Sequence, residues 1–142
     1  IHLTLQFIGD TKPGDIARVI ESVDRACAAI PRFTLTFARL RTFPLDGTPR
    51  LIAATTDAPS PLLELHRRLA TRLSKASSRW QDDRFVPHVT LCRLGSTRPH
   101  IDEPLEPFRW EVGSVLLMAN DLHPSGSEHR EIARVDLIPS TS

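Results

Sequence analysis

The residues best suited to chemistry in this 142-residue chain stand in two copies of one short phrase. His2-Leu3-Thr4-Leu5-Gln6-Phe7-Ile8-Gly9 recurs as His88-Val89-Thr90-Leu91-Cys92-Arg93-Leu94-Gly95. His, Thr, Leu and Gly are identical, and two further positions exchange one aliphatic residue for another. In an extended chain residues i and i+2 point the same way. His2 and Thr4 therefore share a face, as do His88 and Thr90, while Leu3, Leu5, Val89 and Leu91 turn the other way, toward a core. Two such strands side by side, around a pseudo-two-fold axis, would set two imidazoles about one cleft with two hydroxyls at its floor.

That set suits phosphoester cleavage without a metal. An ordinary histidine titrates near 6.5, roughly, so two of them can serve as one base and one acid close to neutral pH. One takes a proton from water and the other protonates the departing oxygen. Threonine hydroxyls donate to non-bridging phosphate oxygens, where charge accumulates in the transition state. Phosphoryl transfer asks a protein for little beyond positioning and electrostatics. A single strand His beside a Thr is ordinary surface, but packing does not require the pair twice. Zinc is the other standard use of paired histidines. Neither copy has a His-x-His or Cys-x-x-Cys spacing, so no metal and no cofactor are expected.

The elements that hold these motifs can be read from periodicity and turn residues. His2 to Ile8 reads as a strand. Pro13, Gly14 and Asp15 open a helix with the apolar stripe Ile16, Ile20, Val23, Cys27 and Ile30, stopped by Pro31. Phe33 to Leu40 and Leu51 to Thr56 read as strands around the turn residues Pro44 to Pro49. Pro59, Ser60 and Pro61 start a second helix, with Leu62, Leu65, Leu69 and Leu73 inward and Arg67, Arg68, Arg72 and Lys75 largely outward. A polar loop, Ser77 to Arg84, leads to a strand from Phe85 to Leu94. A Pro-rich connection (Pro99, Pro104, Pro107) precedes two last strands, Arg109 to Met118 and Arg130 to Ile138. Strands separated by two helices, without regular βαβ alternation, predict an α+β fold with antiparallel sheets.

Composition sets the bounds. A hydrophobic fraction of 40% and a charged fraction of 25% suit a globular protein with one real core, so 1–142 is read as a single domain. No apolar run approaches a membrane span. Two cysteines, Cys27 and Cys92, make no disulfide framework, and a reducing, cytoplasmic setting is expected. The net charge is +1, yet it is unevenly spread: residues 61–98 carry eight basic and three acidic side chains, and residues 99–142 three basic and eight acidic. A local positive field for a polyanion is compatible with that spread, as is a solvated helix face followed by an acidic stretch.

The two His-x-Thr-Leu motifs resemble those of the 2H phosphoesterase superfamily. The flanking "HLTLQFIGD" and "FVPHVTLCR", with "TPRLIAA" and the Leu62–Leu73 helix between them, are similar to its bacterial and archaeal RNA 2′,3′-cyclic phosphodiesterases, also called 2′-5′ RNA ligases. The resemblance spans nearly the whole chain. It implies two lobes, each an antiparallel sheet backed by helix, with the motif strands facing a central cleft. It implies His2 and His88 as the catalytic pair, with His2 preferred as acid and His88 as base, although the sequence does not separate these roles. Thr4 and Thr90 would bind phosphate. Arg93 matches the family's Arg after the second motif, whereas copy one has Phe7 there. Five residues from His88 is the wrong parity for a regular strand, so Arg93 reaches the site only if the strand twists, bulges or ends first. The family's Tyr near the end has no counterpart, since the chain has no Tyr and Ser125-Gly126-Ser127-Glu128 leads to His129. Members begin with a strand and helix before the first motif, a piece expected to be missing ahead of Ile1.

The activity this implies is hydrolysis of a 2′,3′-cyclic phosphate at an RNA end or on a nucleotide, to a 2′-phosphate, by a monomer. Formation of 2′-5′ linkages would be a minor reverse reaction. The alternatives are a catalytically weak nucleotide- or RNA-binding module and an enzyme for a small-molecule cyclic phosphate. His66, His100 and His123 are assigned to helix surface and loops. Trp110 is assigned to the core because it alternates with Val112, and Trp80 to a loop where it could stack on a base.

Overall fold

Two helices, α1 (Ile16–Cys27) and α2 (Ser60–Leu73), and six strands make up the part of the chain that the computed structural model describes, residues 2–73, 85–95 and 99–139. The strands are β1 (Phe33–Phe43), β2 (Leu51–Thr56), β3 (His88–Arg93), β4 (Asp102–Val112), β5 (Ser114–His123) and β6 (Gly126–Asp136). They form a four-stranded sheet in the order β3-β2-β1-β4 and an antiparallel β5–β6 hairpin. The fold is α+β with antiparallel sheets, as the order of elements in the sequence predicts. The chain divides into two compact units: one holds both motif segments and most of the larger sheet, the other both helices and the hairpin.

In the helical unit, Pro13–Asp15 makes a 3-10 turn that feeds α1. The predicted stripe faces inward, with Val23, Cys27 and Ile30 buried. The helix ends at Cys27, ahead of Pro31, and Ala29 takes a left-handed φ of 63°. Carbonyls at a helix end lack intrahelical donors. Arg68 of α2 supplies one, donating from Nη1 to the carbonyls of Ala28 at 2.7 Å and Ala26 at 3.4 Å. A cation there also suits the negative end of the helix dipole. Leu62, Leu65 and Leu69 are buried along α2, as their spacing requires. His66, expected on the helix surface, is half-buried, and burial lowers its pKa. His123, expected in a loop, ends β5.

The larger sheet departs from its sequence reading in informative ways. β1 runs to Phe43 rather than Leu40 because an extra residue, Ala38, shifts its register against β2: Phe37 faces Thr56 while Arg39 faces Thr55. Buried positions accordingly switch from Phe33, Leu35 and Phe37 to Thr42. The Pro-rich stretch taken as a connection contributes Pro104 and Pro107 to β4. β4 is an edge strand, where a missing N–H is tolerated. The strand expected over Arg109–Met118 is two strands, parted at Gly113. The last strand begins at Gly126 rather than Arg130, and Ile138 makes an isolated bridge to Pro31. The strand expected from Phe85 narrows to His88–Arg93. Trp110 is half-buried, its ring 6.2 Å from that of Phe37. Trp80 and the loop Ser77–Arg84 lie outside the described residues.

Both cysteines are unpaired. Cys27 is buried, and its thiol is pushed up to about 11, chiefly by burial, with Asp24 adding and Arg68 opposing. A thiolate is the reactive form. At pH 8 a disulfide-exchange reagent is expected to modify Cys92, which is exposed, and to reach Cys27 only on unfolding. Equal rates at both would contradict this burial.

Candidate active site

The two motif segments meet through an antiparallel bridge between Leu3 and Val89. Residues flanking such a bridge fall opposite one another across the pair. His2 thus lies opposite Thr90, and Thr4 opposite His88. All four turn away from the face of Val89, which is 2% exposed. The histidines occupy one diagonal of this square and the threonines the other. Diagonal partners in an antiparallel pair stand about 7–8 Å apart. That spacing admits one phosphate group between two imidazoles.

The first segment was expected to be a strand over His2–Ile8, and it forms this one bridge instead. The position after Leu3 on the same side, Leu5, would face Pro87, which has no N–H to donate. Pro87 does accept, from the Thr56 amide at 3.3 Å. Beyond the bridge, Gly9 takes a φ of 84°, which L side chains rarely adopt.

The second segment is anchored on its other side by β2, with Thr55 opposite His88, Ala54 opposite Val89 and Ala53 opposite Thr90. The register then slips: Ile52 faces Cys92 and Leu51 faces Arg93, so Leu91 is an extra residue on β3. Ala53 and Leu51 share a face of β2, so Thr90 and Arg93 share a face of β3. The bulge removes the parity conflict and brings Arg93 to the side of His88.

His88 is held by two contacts. Its Nδ1 lies 2.8 Å from the carbonyl oxygen of Val86. A carbonyl accepts and cannot donate, so Nδ1 carries the proton and Nε2 the lone pair. The ring is stacked on Phe43, with centroids 4.5 Å apart and planes 19° from parallel. On the register, Ala53 lies between these two residues on the same face, and it is 0% exposed. The β1 residues on that face are Arg39, Arg41 and Phe43. Asp102 pairs with Arg39 at 2.7 Å and reaches Arg41 at 4.0 Å. With Arg93 the face is net positive, which favours a phosphate. A recess of about 390 Å³ opens among Thr36, Ala38, Arg39, Thr55, Thr56 and Asp57.

Sequence reasoning identified His2, Thr4, His88, Thr90 and Arg93, and the structure brings all five to one face of one unit. It missed Phe43, Arg39, Arg41 and the Val86 carbonyl. The alternation Arg39-x-Arg41-x-Phe43 was the available signal, since it marks three side chains on one strand face. His100 bonds the Thr42 hydroxyl at 3.3 Å, and Thr42 belongs to the opposite face. No three His, Cys, Asp or Glu side chains converge as metal ligands among the described residues.

A family model described as the 2′-5′ RNA ligase superfamily matches residues 1–124. A protein of Aquifex aeolicus named RNA 2′,3′-cyclic phosphodiesterase is 27% identical over 135 residues, covering 89% of this chain and 72% of its own. A protein of the same name from Thermus thermophilus is 26% identical, covering 96% and 72%. Among solved structures, one from Thermus thermophilus superposes with a TM-score of 0.79 at 23% identity, covering 99% of this chain and 79% of its own. The E. coli LigT structure complexed with 3′-AMP superposes with a TM-score of 0.75 at 22% identity, covering 96% and 76%. At these identities the structures speak for the fold.

Proposed function

This chain belongs to the 2′-5′ RNA ligase superfamily, and on that premise we propose that it hydrolyses 2′,3′-cyclic phosphates at RNA ends or on nucleotides, leaving a 2′-phosphate, by two-histidine acid–base catalysis. The observation that carries the reading is the Leu3–Val89 bridge, which sets His2 and His88 on one diagonal and Thr4 and Thr90 on the other. The names of the Aquifex and Thermus relatives agree with the cyclic-phosphodiesterase part of it.

The proposed steps use that geometry, with His88 as base and His2 as acid as the family resemblance prefers. His88, with Nδ1–H held by Val86, presents the Nε2 lone pair to a water molecule and removes its proton as the oxygen attacks phosphorus. The P–O3′ bond breaks, and His2 delivers a proton to the departing O3′. Thr4 and Thr90 hydroxyls donate to the non-bridging oxygens, and Arg93 adds positive charge beside them. Opening a strained ring is downhill, so no ATP is consumed. With a 5′-hydroxyl in place of water, the same groups would form a P–O5′ bond as the P–O3′ bond breaks, giving a 2′-5′ linkage, a minor reaction in water. No helix among the described residues is long and apolar enough to cross a membrane. With two unpaired cysteines, a reducing cytoplasmic setting and action as a monomer complete the reading.

The test is incubation of the protein with a short RNA ending in a 2′,3′-cyclic phosphate, in EDTA, with the product identified by its phosphate position. Turnover to a 2′-phosphate is expected. A 3′-phosphate product would reverse the assigned leaving group. Binding of nucleotide without turnover would replace the reading by a nucleotide-binding module.

A further inference from the structure

The basic residues of α2 have a role still unassigned. α1 and α2 border a groove of about 520 Å³ lined by Ser22 and Arg25 of α1 and by Arg67, Arg68, Thr71 and Arg72 of α2. None of these belongs to the histidine motifs or to the unit that contains them. Four guanidinium groups and two hydroxyls make a lining of hydrogen-bond donors with no carboxylate in it. The carboxylates nearby are ones the arginines already hold: Glu21 pairs with Arg25 at 2.7 Å, and Glu64 with Arg67 at 2.6 Å and Arg68 at 2.9 Å. Two negative charges against four positive ones leave an excess. Arg72 has no ion pair among the described residues.

The arginines are not equivalent. Arg68 is committed to the fold, through its bonds to the Ala26 and Ala28 carbonyls. Arg25 and Arg67 are well exposed, and their pairs lie within a single helix at i,i+4 and i,i+3 spacing. Exposed pairs of that kind contribute little to stability. Their guanidinium planes can therefore turn to a ligand without loosening the helices. Arg68 and Arg72 stand about one turn apart on α2, as do Arg67 and Thr71, about 6 Å along the axis. The donors thus form a track rather than a point. The guanidinium fork matches phosphate geometry and carries no base selectivity on the backbone.

We propose that this groove is a sequence-independent phosphate-backbone site for single-stranded RNA, distinct in its residues from the histidine centre. It rests on the reading of RNA as substrate, whose backbone carries a negative charge at every phosphate beyond its cyclic end. Each cation–phosphate contact to a single strand releases counterions and steepens the salt dependence of binding by about 0.7 in log–log slope.

The experiment measures binding of a fluorescent RNA with an ordinary 3′-hydroxyl end, which cannot be turned over, across a salt series. The triple variant Arg25→Gln/Arg67→Gln/Arg72→Gln is expected to bind roughly tenfold or more weaker, with a slope shallower by about 2. Arg68 is left intact because it caps α1. A control of equal charge change, Arg18→Gln/Arg130→Gln/Arg134→Gln, should lose much less. Arg72→Glu alone, which breaks no ion pair among the described residues, should weaken binding about fivefold. Hydrolysis of a 2′,3′-cyclic mononucleotide should be unchanged in all of them. Equal losses in the groove and control variants, or an unchanged slope, would overturn the site. Displacement of RNA by a polyglutamate of matched charge would overturn it in favour of an acidic peptide. Absence of cyclic-phosphate turnover by the unmodified protein is a separate failure, of the catalytic reading, and the binding arm remains readable without it.

Discussion

Replacing His88 by alanine is expected to lower turnover of a 2′,3′-cyclic phosphate by about a thousandfold, within the range of general acid–base catalysis. The side chain does two things that no neighbour duplicates. In the proposed mechanism its Nε2 takes the proton from attacking water. Its Nδ1–H, bonded to Val86 at 2.8 Å, keeps the tautomer that makes Nε2 available. Asparagine or glutamine could restore a hydrogen bond but no usable base, so His88→Gln should stay close to His88→Ala. Neither variant should unfold the protein. His88 is only half-buried, and the ladder around it is made of backbone groups at Thr55, Ala54 and Ala53. Comparing kcat with nucleotide affinity checks this. The fall belongs in kcat, because in the proposed mechanism the threonines and Arg93 would still hold the phosphate.

The second large effect is on stability and lies on the opposite face of the same sheet. Phe37 is 0% exposed, stacked on Phe108 with ring centroids 4.8 Å apart and planes 9° from parallel. Trp110 adds a further ring contact at 6.2 Å. Phe37→Ala removes an aromatic side chain from a packed site and leaves a cavity, at about 3–5 kcal/mol. A domain of this size has about 5–15 kcal/mol in all. The melting temperature should fall by roughly 10–20 °C. Phe37→Leu keeps most of the volume and should lose much less. Any activity that survives below the transition should show an unchanged KM, since Phe37 points away from His88. A shift of less than a few degrees in the alanine variant would mean that the sheet's core is elsewhere.

What the sequence revealed, and what it hid, follows the range of the interactions involved. The His-x-Thr repeat, the stripe Val23-Cys27-Ile30, the Leu62-Leu65-Leu69 row and β2 at Leu51–Thr56 are set by spacings within a few residues, and each is found where periodicity puts it. β4 was hidden by Pro104 and Pro107, which are acceptable only because the strand lies at an edge, a fact of sheet order. The phase slips at Ala38 and Leu91 are properties of strand pairs, and one sequence read along itself has no view of its partner. The slip at Leu91 matters most for the site. Counted along β3 alone, Arg93 points away from His88; counted through its partners on β2, it shares the same face. Phe43 was invisible for the same reason, since it meets His88 across two neighbouring strands and 45 positions of sequence. The paired motif could be read because the same short phrase stands in the sequence twice, at a spacing that needs no tertiary information.

The most direct test of paired catalysis by His2 and His88 is a double-mutant cycle on single-turnover hydrolysis of a cyclic-phosphate-ended RNA. Groups that act as a unit are strongly non-additive. His2→Ala and His88→Ala should each lose about a thousandfold, and the double variant little more than the worse of the two. Losses that multiply in the double variant, or a single variant that keeps near-full activity, would contradict a concerted histidine pair.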